Sequence, residues 1–184
     1  MGERLTERLF LAVALSDDVR HGLAAFLDDA AGPLPGKAVP PANWHLTLRF
    51  LGATEEPQRD RVLVFLDDHA ITEPFVLGFV GLGSFPSPGR ATVLWLGIGR
   101  GSDRAAALAA VCEEAVQAAG FDPEDRPFHP HVTLSRIRPR KDVSALVESV
   151  PPFPLSQTVD RITLYRSMLE RGGAHYEIVD EIEL

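Results

Sequence analysis

Cysteine, long apolar runs and net positive charge are scarce in this chain of 184 residues, and each scarcity removes a class of protein. The single cysteine, Cys112, excludes an intramolecular disulfide; it falls in an Ala-rich helical segment, where a buried thiol is expected. The longest clean apolar run, Leu9 to Leu15, is far short of the roughly 20 residues that a membrane helix needs. Met1 to Thr6 holds no apolar export segment, so a cytoplasmic protein with no membrane partner is expected. Lys and Arg number 18 against 26 Asp and Glu, a formal net charge of −8, which disfavours a surface that coats nucleic acid through many phosphate contacts. What remains is 45% hydrophobic, enough to build the core of one domain or two small, closely packed lobes.

Against this background two short motifs stand out. His45-Leu46-Thr47-Leu48 and His131-Val132-Thr133-Leu134 repeat the pattern His-x-Thr-x, each inside an apolar stretch of strand character. Side chains at i and i+2 leave the same face of a strand, so each imidazole stands beside a hydroxyl while the aliphatic residues face the other way. If the two strands lie side by side, four polar groups converge on one small anion and two imidazoles divide the roles of acid and base. That is equipment for phosphodiester chemistry without a metal.

The order of elements repeats. Leu9 to Leu15 reads as a strand, Ser16 caps a helix through about Ala30, Gly32-Pro33 stops it, and a Pro-rich loop from Pro33 to Pro41 leads to His45. The strand from Trp44 ends at Gly52, Thr54 caps a second helix through about Ala70, and Phe75 to Phe85 reads as a strand before a hairpin loop. A strand from Thr92 to Ile98, a helix from Asp103 to Ala119, a Pro-containing loop and the strand of His131 follow in the same order. A short helix after Asp142 and strands near Thr158 to Tyr165 and His175 to Ile182 close the chain. The expectation is a duplicated α+β protein, with approximate halves 1–89 and 90–184, and a groove between two lobes.

Strand alternation places Arg49 and Ser135 on the face of the histidines. Arg136 has the wrong parity unless its strand ends or bulges. It opens a basic run, Arg136, Arg138, Arg140 and Lys141, with no carboxylate before Asp142; a rim beside the site and a merely solvated loop are both open readings. His129, His131 and His45 together could hold a metal, although Pro130 and the lack of Cys, Asp or Glu in either motif weigh against it. Gly97 to Ser102 joins a strand to a helix but lacks the glycine spacing of a dinucleotide loop and the Gly-Lys-Ser/Thr ending of a P-loop, so a tight turn is expected. Trp44 and Trp95 are better read as core than as stacking platforms for a base. His21, His69 and His175 lack any such context and read as surface residues.

The run Trp44-His45-Leu46-Thr47-Leu48-Arg49-Phe50-Leu51-Gly52, the run Pro127-Phe128-His129-Pro130-His131-Val132-Thr133-Leu134-Ser135-Arg136, the leading Leu9-Phe10-Leu11-Ala12-Val13 and the late Leu164-Tyr165-Arg166-Ser167 together resemble the 2H phosphoesterase superfamily. Within it, the chain is similar to bacterial RNA 2′,3′-cyclic phosphodiesterases, also described as 2′-5′ RNA ligase-like proteins. The resemblance implies a bilobal α+β fold, with two antiparallel-rich sheets facing a central cleft and helices on the outer faces. It implies hydrolysis of an RNA or nucleotide 2′,3′-cyclic phosphate to a 2′-phosphomonoester with no metal or cofactor, and as a further activity a reversible 2′-5′ ligation. It assigns His45 as proton donor, His131 as proton acceptor, and Thr47, Thr133 and Arg136 as substrate-binding residues. Its substrates would be RNA ends or small cyclic nucleotides, handled by a monomer by default. A module that holds phosphorylated nucleotides or RNA ends without turnover is the alternative.

Overall fold

The computed structural model describes residues 6–69 and 73–184. Strand β1 (Thr6–Ala14) leads into helix α1 (Asp17–Ala30), which starts where the Ser16 hydroxyl accepts the Val19 amide at 3.3 Å. Asp17 and Asp18 complement the positive end of its dipole, and Val19, Leu23 and Leu27 form its buried stripe. The helix ends where Gly32, at φ +64°, donates its amide back to the Leu27 carbonyl. The expected Pro-rich loop then contains a short strand, β2 (Lys37–Ala38), and a 3₁₀ turn, Pro41–Asn43.

Strand β3 (His45–Glu55) runs directly into α2 (Glu56–Asp68). The cap differs from the expected Thr54. Glu55 and Gln58 form a reciprocal capping box, whereas the buried Thr54 hydroxyl turns back to donate to the Gly52 carbonyl at 3.0 Å. Then come β4 (Phe75–Phe85), β5 (Ala91–Ile98), α3 (Ser102–Ala118), β6 (His131–Lys141) and α4 (Ser144–Ser149). Strands β7 (Ser156–Val159), β8 (Arg161–Glu170) and β9 (Gly173–Glu183) follow. The tight turn expected at Gly97 to Ser102 is tied to β4 by the Gly78 amide on the Arg100 carbonyl and the Gly99 amide on the Gly78 carbonyl.

All strand pairings are antiparallel, in the order β7-β4-β5-β6-β3-β1-β8-β9, with β2 on β6. The α+β class is as expected. The two sheets expected are one nine-stranded sheet with two wings, β3-β1-β8-β9 and β6-β5-β4-β7, joined by the pairing of Leu46 with Val132. Each wing draws on both sequence halves: β4 lies in the wing of His131, and β8 and β9 lie in the wing of His45. Leu46, Leu94, Leu96, Val132 and Leu134 are fully buried in one core with Leu108, Cys112 and Val116 of α3 and Val62 of α2. Burying each such aliphatic side chain contributes about 1.5–3 kcal/mol. Among the described residues, no helix is long and apolar enough to cross a membrane.

Candidate active site

The seam between the wings is where the two motifs meet. An antiparallel residue pair has a local twofold axis, so the Leu46–Val132 pair relates His45 to His131 and Thr47 to Thr133. Leu46 and Val132 point into the core, and the histidines and threonines, each one residue away, point to the opposite, concave face. Neighbouring strands extend this face: Ala12 lies opposite Thr47, and Trp95 lies opposite Thr133.

Each imidazole is anchored through Nδ1 to a backbone carbonyl two residues back. His45 donates to Asn43 O at 2.8 Å and His131 donates to His129 O at 2.6 Å. That bond fixes the tautomer and leaves Nε2 as the working nitrogen in both rings. The surroundings then diverge. His45 is walled by Phe10 at 4.8 Å between ring centroids and by Tyr176 at 5.4 Å, and its Nε2 accepts from the Thr47 hydroxyl at 2.9 Å. His131 is edged by Phe85 at 5.1 Å and Trp95 at 6.0 Å, with His129 also 6.0 Å away. Its Nε2 makes no hydrogen bond among the described residues.

Burial pushes the His45 imidazole down to about 4, and the charges of His131 and Arg136 add to this against the Asn43 hydrogen bond. His131 is held below the usual histidine range by burial, with the charges of His129 and Arg136 adding. Both rings are therefore neutral at rest near pH 7. The Arg136 guanidinium is close enough to be felt by both.

Arg136 reaches this face because β6 bulges. Trp95 pairs with Thr133 and Leu94 with Ser135, so Leu134 is the extra residue and alternation is reset beyond it. Ser135 turns into the core, fully buried with its hydroxyl unpartnered, and Arg136 turns to the histidine face. The same device operates on β3. Ala12 pairs with Thr47 and Leu11 with Arg49, making Leu48 the extra residue. Arg49 is thereby turned to the helices, where it pairs with Glu113 and donates to the carbonyls of Phe50 and Asp122. The parity expectation for Arg49 and Ser135 is corrected by these two bulges. Phe50, half exposed, takes on its wing the place that Arg136 takes on the other.

The structure thus brings His45, Thr47, His131, Thr133 and Arg136 to one face and takes Arg49 and Ser135 away from it. Trp44 is core, as expected. Trp95 instead lies on the histidine face, pressed so closely over Gly83 that a Cβ there would fall 2.1 Å from its ring. Sequence reasoning missed the ring walls of Phe10 and Phe85, and Lys37 on β2. The usable signal was register: β1 and β5 precede the two motifs at similar spacing and flank them in the sheet.

The sequence pattern of the 2′-5′ RNA ligase superfamily matches residues 13–169, and the chain belongs to that family. Among curated relatives, the RNA 2′,3′-cyclic phosphodiesterase of Aeropyrum pernix is 35% identical over 82% of this chain and 87% of its own length. The protein of the same name from Escherichia coli is 32% identical over 92% of each chain. The crystal structure of E. coli LigT complexed with 3′-AMP is similar with a TM-score of 0.78 at 27% identity, covering 97% of this chain and 98% of that one.

Proposed function

We propose that this chain is a metal-independent cyclic phosphodiesterase that opens an RNA or nucleotide 2′,3′-cyclic phosphate to a 2′-phosphomonoester. The observation that carries the reading is the Leu46–Val132 bridge, which sets two Nδ1-anchored imidazoles on one face of adjacent strands. Water attacks phosphorus, His131 Nε2 takes its proton, and His45 Nε2–H gives a proton to the departing 3′ oxygen, leaving a 2′-phosphate and a free 3′ hydroxyl. Each correctly placed acid or base contributes about 10²- to 10⁴-fold. Thr47 and Thr133 donate to the nonbridging oxygens and Arg136 adds a charge-assisted contact.

A donor must hold a proton, and His45 rests without one. The anionic ester supplies what burial removes, because a negative charge beside the ring favours the imidazolium. Proton uptake then accompanies binding. With Nε2 protonated, the Thr47 hydroxyl no longer needs to donate to the ring and is free to turn to phosphate. The same groups would catalyse 2′-5′ joining when a 5′ hydroxyl takes the place of water: His131 takes its proton as its oxygen bonds to phosphorus, and His45 protonates the departing 3′ oxygen.

The test is hydrolysis of a nucleoside 2′,3′-cyclic phosphate in EDTA, with the product identified by phosphorus NMR. A 2′-phosphomonoester formed by the wild type and lost in His45→Ala and His131→Ala is expected. Tight binding without turnover would turn the reading to a non-catalytic module, and activity lost to EDTA and restored by Zn²⁺ would turn it to a metal site.

A further inference from the structure

The segment before the first motif is paired into the sheet beside the second motif. Where β3 parts from β6 beyond the seam, β2 takes its place: Lys37 pairs with Arg136, Ala38 with Ser135, and the Val39 amide donates to the carbonyl of the bulged Leu134 at 2.8 Å. Gly36 makes this approach possible. It sits at φ +79°, and a Cβ there would lie 2.4 Å from the Arg136 carbonyl oxygen. Farther along, Asn43 donates to the Ala174 carbonyl at 2.7 Å, fastening the loop to the start of β9.

Cross-strand partners share a face, so exposed Lys37 projects from the face of Arg136. Its ammonium reaches toward the other wing, 3.6 Å from where a Cβ on Gly173 would stand, at the start of β9. It makes no ion pair with any described residue, in a chain of net charge −8. Arg136 acts on both imidazoles, whereas the Lys37 ammonium is directed to Gly173 at the start of β9, so the two cations occupy different places on that face. A compact, strongly hydrated point charge at that position suits an exposed phosphodiester.

Resting on the cyclic phosphodiesterase reading above, we propose that Lys37, held opposite Arg136 by the β2–β6 pairing, binds the phosphodiester on the 5′ side of the reacting ribose. The site then selects oligonucleotide ends over cyclic mononucleotides.

The experiment compares a nucleoside 2′,3′-cyclic phosphate with a dinucleotide ending in the same cyclic phosphate, for wild type, Lys37→Ala and Lys37→Arg. Binding of the corresponding 2′-phosphate-ended products is measured alongside. Wild type should favour the dinucleotide, and Lys37→Ala should cut that preference about tenfold, chiefly through KM, with Lys37→Arg restoring most of it. The salt slope for dinucleotide binding should fall by about 0.7 on loss of one phosphate contact to a single strand. A preference unchanged by Lys37→Ala in both kinetics and binding, or an equal loss on both substrates, would overturn the proposal. If the wild type hydrolysed neither substrate, the cyclic phosphodiesterase reading would fall, and the dinucleotide-to-mononucleotide binding ratio alone would decide the role of Lys37.

Discussion

The two wings carry the same backbone devices but furnish them differently. Each anchors an imidazole through Nδ1 to the carbonyl two residues back, each places a threonine beside it, and each bulges at the leucine that follows. The wing of His45 then fills the next outward position with Phe50 and packs its histidine among Phe10, Tyr165 and Tyr176. The wing of His131 fills it with Arg136 and faces a second histidine, His129. A repeated scaffold that treated both histidines alike would give them one proton affinity and one job. Unequal furnishing separates their proton affinities and leaves His45 the weaker; in the proposed reaction it is the charge of the bound ester that makes His45 the donor.

The largest effect expected from breaking this arrangement is loss of either ring. His45→Ala and His131→Ala should each lower kcat by about 10²- to 10⁴-fold. They should differ in what survives: residual activity of His45→Ala rises to a plateau with pH, because only the base remains, and that of His131→Ala falls with pH. The same trend in both variants would remove the division of labour.

Stability should sense the same inequality. The folded His45 takes up its proton only near pH 4, whereas the unfolded ring does so near 6.5. The unfolded state therefore binds more protons in that window, and the native state loses about 3 kcal/mol as pH falls from 6.5 to 4, with no further loss from this group below. Denaturant unfolding at a series of pH values checks this. His45→Asn should flatten the window more than His131→Asn does, and equal flattening would contradict the deeper burial of His45.

Phe50 and Arg136 hold equivalent places, so exchanging each for alanine isolates what the furnishing contributes. Arg136→Ala should weaken substrate binding by about 1.5–3 kcal/mol and shift the pH profile to the alkaline side, since it removes a charge that lowers both rings. Phe50→Ala should change KM less than about threefold with no such shift, and matching losses in the two variants would refute the asymmetry. A smaller perturbation is Gly83→Ala, whose new Cβ would strike Trp95. About 1–3 kcal/mol of destabilisation is expected, with changed tryptophan fluorescence and the His45 limb of the pH profile intact.

Much of this was legible in the sequence, and the exceptions share a cause. The Ser16 cap, the Gly32 stop and the strands carrying the histidines follow from local rules. The fate of Arg49, Ser135 and Arg136 does not, because Leu48 and Leu134 are as apolar as any strand-interior residue and nothing local marks them as extra. A bulge is a property of two paired strands. For the same reason Lys37 was lost in a Pro-rich loop, since β2 exists through its pairing with β6. The hairpin of β4 with β5 was legible from its loop, but the return of β8 and β9 to the wing of His45 was not, because it rests on the pairing of β8 with β1.

The most direct test is the pH dependence of kcat/KM for hydrolysis of a 2′,3′-cyclic nucleotide by the wild type in EDTA. Two imidazoles on one phosphorus, both lowered by burial, predict a bell with its rising limb near pH 4 and its falling limb below about 6.5. A flat profile between pH 5 and 9 would mean that the rings set on one face by the Leu46–Val132 pair do not exchange protons with the ester.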